Sequence, residues 1–222
     1  MSSYYHKFSE LNHLYRAWRS IPKRAFSRGF DEVTIEQFRQ NLDANLRDIS
    51  NELRKGGFTF TPARGVALSK PEGGKRPIKV PAVRDRVVLK AIQLLIEHKF
   101  RKFNLPCSFG YVPYRSVPDA IARIRQLARD GNQWVLEADI SKFFDTVDRD
   151  LLIMEFTKKI RLPSLLPIIE AALNVEVGNL ESFFPEDREL FPAASSGIPQ
   201  GGILSPMLAN FYLYPLDLAM TR

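Results

Sequence analysis

Residues 134–140 narrow most sharply what this chain can fold into. The run Trp134-Val135-Leu136-Glu137-Ala138-Asp139-Ile140 reads as a buried strand that ends by presenting a carboxylate, Asp139. Phe143 and Phe144 follow, and Asp145 and Asp148 then sit at the start of a helix carrying Leu151, Leu152 and Phe156. A carboxylate at the end of a rigid strand, combined with a glycine-rich loop elsewhere, suits Mg²⁺-dependent phosphoryl transfer, because a hard cation needs oxygen ligands held in place. Such a loop lies roughly sixty residues on, in Gly197-Ile198-Pro199-Gln200-Gly201-Gly202-Ile203-Leu204-Ser205-Pro206.

Composition sets the outer limits. The 222 residues are enough for one or two domains with a proper core. No apolar run approaches the ~18 residues of a membrane span, and the N-terminus is polar and basic without a secretory apolar segment, so a cytoplasmic protein with no membrane partner is expected. The single cysteine, Cys107, excludes an internal disulfide and a cysteine-based metal site, and is expected to be a small buried hydrophobe. Net charge is +7, but residues 1–130 hold 25 Lys and Arg against 12 Asp and Glu, whereas from Gly131 onward the counts are 7 and 13. Balances of +13 and −6 suggest a polyanion partner for the first part and a metal or metal-bound substrate for the second. An unevenly charged solvated surface is the plain alternative.

Local signals place the elements. Leu11, Leu14, Tyr15, Trp18 and Ile21 recur at helical spacing among His13, Arg16, Arg19, Lys23 and Arg24, predicting a basic amphipathic helix over 8–24 that lies on template or caps the fold. Thr34 with Gln37 forms a capping box ahead of an apolar stripe from Ile35 to Leu53, which Gly56-Gly57 should end. Gly65 to Ser69 and Pro77 to Val80 read as two strands joined by a cationic, glycine-rich hairpin loop, Lys70-Pro71-Glu72-Gly73-Gly74-Lys75-Arg76. A buried helix should follow from Val83 to Phe100. Ser116 with Asp119 opens another helix, with Ile121, Ile124 and Leu127 inside and Gly131 closing it. Residues 175–196, rich in Glu and Pro, read as an irregular or β-hairpin excursion. Ser205-Pro206 reads as an N-cap with proline at the first helical position, and Pro215 should kink or end that helix.

Four of these stretches, in this order, resemble the bacterial reverse transcriptases of the group II intron, retron and defence-associated branch. Gly73 to Arg86 is similar to the fingers motifs, and Ser108-Phe109-Gly110-Tyr111-Val112-Pro113-Tyr114-Arg115-Ser116 to a conserved element after them. The Asp139 run resembles palm motif A, and Pro199-Gln200-Gly201 resembles motif B. The resemblance extends from about Phe30 to Asp217. It implies an α+β right-hand polymerase, a small antiparallel sheet packed with helices, with an N-terminal extension and fingers over 1–115 and an incomplete palm over 116–222. It also implies a motif C, aromatic-x-Asp-Asp, beyond Gln200. No Asp-Asp pair occurs in the chain, so a downstream segment or a second chain is expected to supply it.

The same resemblance implies RNA-directed DNA synthesis with Mg²⁺ (or Mn²⁺), dNTPs, an RNA template and a DNA or RNA primer. Asp139 and the Ile140 carbonyl would hold metal, the plain reading of Asp139 being a residue capping its own turn. Phe144 would be the ring that excludes a 2′-hydroxyl, or else a core phenylalanine, although Phe143 suits the core better. Asp145 and Asp148 are sufficiently explained as helix-start residues. Lys70, Lys75 and Arg76 are placed to meet a triphosphate, since an arginine can hold two phosphate oxygens at once, or they form a solvated hairpin tip. Gln200 can bond the incoming nucleotide, where Gly201 lets backbone approach a base pair. Arg84 and Arg86 either meet template backbone or are locked by Asp85 between them. Arg115 is a further nucleic-acid candidate, although Tyr114 stands before it where the family commonly has glycine. The alternative from another class is a non-catalytic RNA-binding module derived from such an enzyme.

Overall fold

The computed structural model describes residues 3–22, 28–71, 73–191 and 197–221. The chain begins with two short helices, α1 (Ser3–Ser9) and α2 (Leu11–Ser20), where one was expected; Lys23 and Arg24 lie outside the described residues. The Thr34–Gln37 capping box forms, but the stripe behind it splits into α3 (Ile35–Gln40) and α4 (Leu42–Lys55), broken at Asn41. Gly56, at φ 70°, ends α4. Strands β1 (Arg64–Ser69) and β2 (Lys75–Val80) pair antiparallel with Leu68 opposite Arg76 and Ser69 opposite Lys75. Helix α5 (Val83–Phe100) follows, then α6 (Val117–Arg129), opened by Ser116 and Asp119 in a second capping box. The remaining helices are α7 (Phe143–Thr146), α8 (Arg149–Ile160), α9 (Leu166–Leu173), α10 (Pro185–Arg188) and α11 (Ser205–Met220).

Helix α5 is the axis of the core. Its apolar residues are not confined to one narrow stripe, and Val83, Val87, Val88, Ala91, Ile92 and Ile96 are all fully buried, as expected of a helix packed on most of its surface. Leu14 of α2, Leu46 and Leu53 of α4, Leu152 of α8, Ile169 of α9 and Leu208 of α11 join it in one cluster. Each such side chain contributes about 1.5–3 kcal/mol relative to exposure. Polar ties fix the helices: a His13 ring nitrogen bonds the Ala91 carbonyl at 2.8 Å, and the Ser50 hydroxyl donates to the Ser9 carbonyl at 2.7 Å.

Several expectations are corrected. Residues 132–140 have no regular secondary structure and form no strand, and Trp134, Val135 and Leu136 are 96, 87 and 82% exposed. A strand exists only when a second backbone bonds it, and among the described residues none lies beside this one. Ile121, Ile124 and Leu127 of α6 are exposed for the same reason: their apolar face meets no described element. Cys107 is exposed in a tight turn rather than buried. Ser205 is the first residue of α11, not its cap, and its hydroxyl instead donates to the Pro199 carbonyl at 2.6 Å. Pro215 lies inside α11, which continues to Met220, so it does not end the helix.

Asp85, 1% exposed at the start of α5, accepts a hydrogen bond from the Thr61 backbone at 3.0 Å. Its other oxygen lies 3.7 Å from Arg84 Nε, beyond hydrogen-bond reach, and both atoms are unpartnered. Burial pushes this carboxyl up to about 7, against the Thr61 bond and the Arg84 charge. An unfolded aspartate releases its proton near ~3.9. Between about pH 4 and pH 7 the folded chain therefore holds a proton that the unfolded chain has lost, and this contribution to stability falls as pH rises through that window. Denaturant unfolding across that range should show wild type losing on the order of 3 kcal/mol relative to Asp85→Asn. Parallel pH profiles for the two proteins would refute it.

Candidate active site

The glycine-rich loop 197–202 is stitched between the turn after residue 140 and the edge of β2. Lys142, at φ 50°, reverses the chain into α7. The Ile198 N–H donates to the Phe144 carbonyl at 2.7 Å and the Gly197 N–H to the Val147 carbonyl at 3.1 Å. On the other side the Lys79 N–H donates to the Gln200 carbonyl at 2.8 Å. Gly201, at φ 93°, packs so closely on β2 that a Cβ would stand 2.8 Å from the Lys79 carbonyl. One loop thus fixes the β1–β2 hairpin relative to the segment that carries Asp139.

Within this frame, Asp139 is exposed near the end of the irregular segment 132–140, and its carboxylate has no hydrogen bond or ion pair with any described residue. Ile140 is 45% exposed. The half-buried Phe143 and Phe144 meet edge to face with centroids 5.6 Å apart, and both pack against the core. Asp148 caps α8, accepting from the Leu151 N–H at 2.9 Å. Asp145 lies within α7 instead and accepts from the Gln200 side-chain amide at 3.1 Å. That bond orients the Gln200 side chain toward the Asp139 turn.

The hairpin cations divide. The Lys70–Gly74 turn closes through two backbone bonds, and Lys70 and Arg76 make no ion pair among the described residues. Lys75 does: its ammonium bonds both oxygens of Asp187, at 2.7 and 2.6 Å. Arg84 pairs with Glu52 at 2.7 Å and stacks over the Phe58 ring at 4.7 Å, so its charge is spent on a protein partner. Arg86 is buried and donates to the Pro81 carbonyl at 2.8 Å. With Lys79 and Lys90 it also lines a recess of about 310 Å³ beside Gly201 and Ile203, bordered by Ile21 of the N-terminal segment. Burial and the nearby Arg149 lower the Lys79 ammonium, and burial lowers Arg86.

Arg115 is a strut rather than a surface contact: one guanidinium nitrogen bonds the carbonyls of both Leu105 and Ser108, and the group lies over the Phe109 ring. Tyr114 before it sits at φ 64°, the left-handed region that glycine occupies without cost, with a side chain 98% exposed. Tyr114→Gly should therefore stabilise the chain by about 0.5–1 kcal/mol, the relief of strain exceeding the added chain entropy. An unchanged or lowered denaturant midpoint would refute this.

A family model described as "Reverse transcriptase (RNA-dependent DNA polymerase)" matches residues 68–221. The chain belongs to the reverse transcriptase family. Among curated relatives it is 35% identical over 202 residues to protein YkfC of Escherichia coli (strain K12), covering 88% of this chain and 50% of that one. It is 30% identical over 196 residues to the group II intron-encoded protein LtrA of Lactococcus lactis subsp. cremoris, covering 88% of this chain and 31% of LtrA. The chain thus spans at most half the length of these two relatives. A solved partial Cas6-RT-Cas1–Cas2 complex contains a chain that superposes with a TM-score of 0.58 at 24% identity, covering 96% of this chain and 34% of that one. The fold is that of a polymerase fingers and palm.

Sequence reasoning missed the residues that tie this reverse transcriptase-family site together. The Arg149 guanidinium bonds the Gly197 carbonyl, Asn174 Oδ1 at 2.7 Å and the Leu173 carbonyl at 2.8 Å, pinning the loop to α9. The Asn179 side chain brackets Gly65, accepting from its N–H at 2.6 Å and donating to its carbonyl at 3.1 Å. Asn179, Asp187 and the parallel bridge Ala63–Val177 make the 175–191 excursion a strap across β1. The one available signal was Arg149 itself, a cation in the first turn of a helix, where the dipole disfavours it.

Proposed function

We propose that this chain is the fingers (1–115) and part of the palm (116–222) of an RNA-directed DNA polymerase. The observation that carries the reading is the loop 197–202, which holds Gln200 and Gly201 between the fingers hairpin and the Asp139 turn. Asp139 and the Ile140 carbonyl are oxygen donors of the kind Mg²⁺ takes, and Mn²⁺ would accept the same set. Among the described residues no group of three His, Cys, Asp or Glu side chains gathers into a metal site, so these two donors are only part of a coordination shell. The bound ions would stabilise the attacking and leaving oxygens of nucleotidyl transfer.

The chain's own residues bind and orient. Lys70 and Arg76, free of ion pairs among the described residues, are poised for the triphosphate of a dNTP, with Lys75 available if it leaves Asp187. Gln200 reaches the nucleotide from its bond with Asp145, and Gly201 lets the loop approach the base pair. The recess of Lys79, Arg86 and Lys90 suits the template phosphates. Strands that pair with 134–140 and cover α6 would complete the palm and bring the remaining carboxylates, from a downstream segment or a second chain.

The test is primer extension on an RNA template by the full-length protein, with dNTPs and Mg²⁺. Incorporation supports the reading; RNA binding without extension would identify a non-catalytic module. Phe144, half-buried beside Phe143, is assigned as the ring that excludes a 2′-hydroxyl. Phe144→Ala should raise rNTP incorporation relative to dNTP by roughly tenfold or more, the effect of about 1.4 kcal/mol lost from discrimination. Unchanged sugar selectivity would remove Phe144 from that role.

A further inference from the structure

Helices α5 and α8 both begin at the candidate active site and end together on the opposite side. The N-terminus of α5 continues from β2, and that of α8 adjoins the loop through the Gly197–Val147 bond. At ~1.5 Å per residue, the 18 residues of α5 carry its far end about 27 Å away, and the 12 of α8 reach about 18 Å. Where they end is a recess of about 540 Å³ lined by Lys99, Lys102, Lys158, Lys159 and Arg161. Lys158, Lys159 and Arg161 are three of only 7 Lys and Arg from Gly131 onward, in the half of the chain whose balance is negative. This concentration is not part of an evenly basic surface.

A cation at a helix C-terminus complements the dipole, and one or two would need no further reason. Five converging from two helices repel one another, and the acidic partner there is Glu155, 2.7 Å from Lys159 and 4.0 Å from Lys158. Three of the ammonium groups are also held over rings: Lys99 over Tyr4 at 5.4 Å, Lys102 over Phe103 at 5.0 Å and Lys159 over Tyr214 at 5.5 Å. The charges are thus held in place for a polyanion. The apolar floor, Phe103 and Ile160, is buried and leaves nothing to insert into a bilayer.

We propose that this recess is a second nucleic-acid site, gripping the phosphate backbone of a structured RNA on the face opposite the catalytic cleft. It needs no base contacts, so it is indifferent to sequence and sensitive to salt. The site stands apart from polymerisation: it requires RNA binding and not nucleotide incorporation.

The experiment compares full-length wild type with Lys102→Gln/Lys158→Gln/Arg161→Gln, three exposed positions chosen to spare the Glu155–Lys159 pair. Binding of a long structured RNA, and of a short primer–template too small to reach both faces, is measured across a salt series. The variant should bind the long RNA roughly tenfold to a hundredfold more weakly, with the slope of log affinity against log salt reduced by about 2–3. The short primer–template should bind both proteins alike. Unchanged affinity and slope on the long RNA would overturn the proposal. Equal losses on both ligands would also overturn it, because the cations would then serve the cleft. So would loss of binding to anionic phosphatidylserine vesicles with RNA binding intact, which would assign the recess to lipid headgroups. Failure of wild type to extend a primer would count against the polymerase reading and leave these binding results standing.

Discussion

Asp139→Ala in the full-length protein is expected to reduce Mg²⁺-dependent primer extension by roughly 10³-fold or more, about 4 kcal/mol of transition-state stabilisation. It should leave the melting temperature unchanged. Both halves of this expectation follow from one observation: the carboxylate is exposed, near the end of an irregular segment, with no hydrogen bond or ion pair to a described residue. A side chain that touches nothing in the fold contributes nothing measurable to stability. Asp145 and Asp148 are the internal comparison. Each has a local task, bonding Gln200 and capping α8 respectively. Asp148→Ala should therefore cost about 1 kcal/mol of stability and little of the chemistry. Extension that survives Asp139→Ala would remove the metal role from this residue. A fall in melting temperature matching that of Asp148→Ala would show it to be a cap of its own turn.

What was legible in the sequence was what is decided locally or by burial on most sides. The Thr34–Gln37 and Ser116–Asp119 capping boxes join residues three apart, and both form. Helix α5 carries its own core, and the Gly73-Gly74 turn fixes its hairpin. The run Trp134-Val135-Leu136 is the opposite case. Its composition reports a preference for burial, but a strand is made by its neighbour, and no described segment pairs with it. The ties that build the site were equally silent, because Gln200 to Asp145, Arg149 to Gly197 and Asn179 to Gly65 span 55, 48 and 114 residues. Such pairs leave no spacing signature. Even where a motif was recognised, its residues divided by partner: Lys70 and Arg76 make no ion pair among the described residues, whereas Lys75, Arg84 and Arg115 are engaged by Asp187, Glu52 and the 105–108 loop.

Gly197→Ala should be among the most destabilising single-methyl additions in the chain. Gly197 sits at φ 68°, which costs an alanine about 1–2 kcal/mol. The added Cβ would also press against the Phe144 carbonyl oxygen and stand 2.7 Å from Asp145 Cα. These are backbone atoms of the α7 turn and cannot rotate aside as a flexible side chain would. The loop must withdraw, and the Ile198–Phe144 and Gly197–Val147 bonds go with it. The combined cost should be roughly 3 kcal/mol or more. Gly57→Ala is the control: no atom lies within 4 Å of a Cβ there and φ is not left-handed, so its effect should stay within about 0.5 kcal/mol. Because withdrawal also carries Gln200 away from Asp145, nucleotide KM in the full-length protein should rise along with the loss of stability. Equal unfolding midpoints for the two alanine variants would mean that the loop is not clamped against the Asp139 turn. An intact KM in a destabilised Gly197→Ala protein would separate the clamp from the nucleotide site and leave Gln200 without its proposed role.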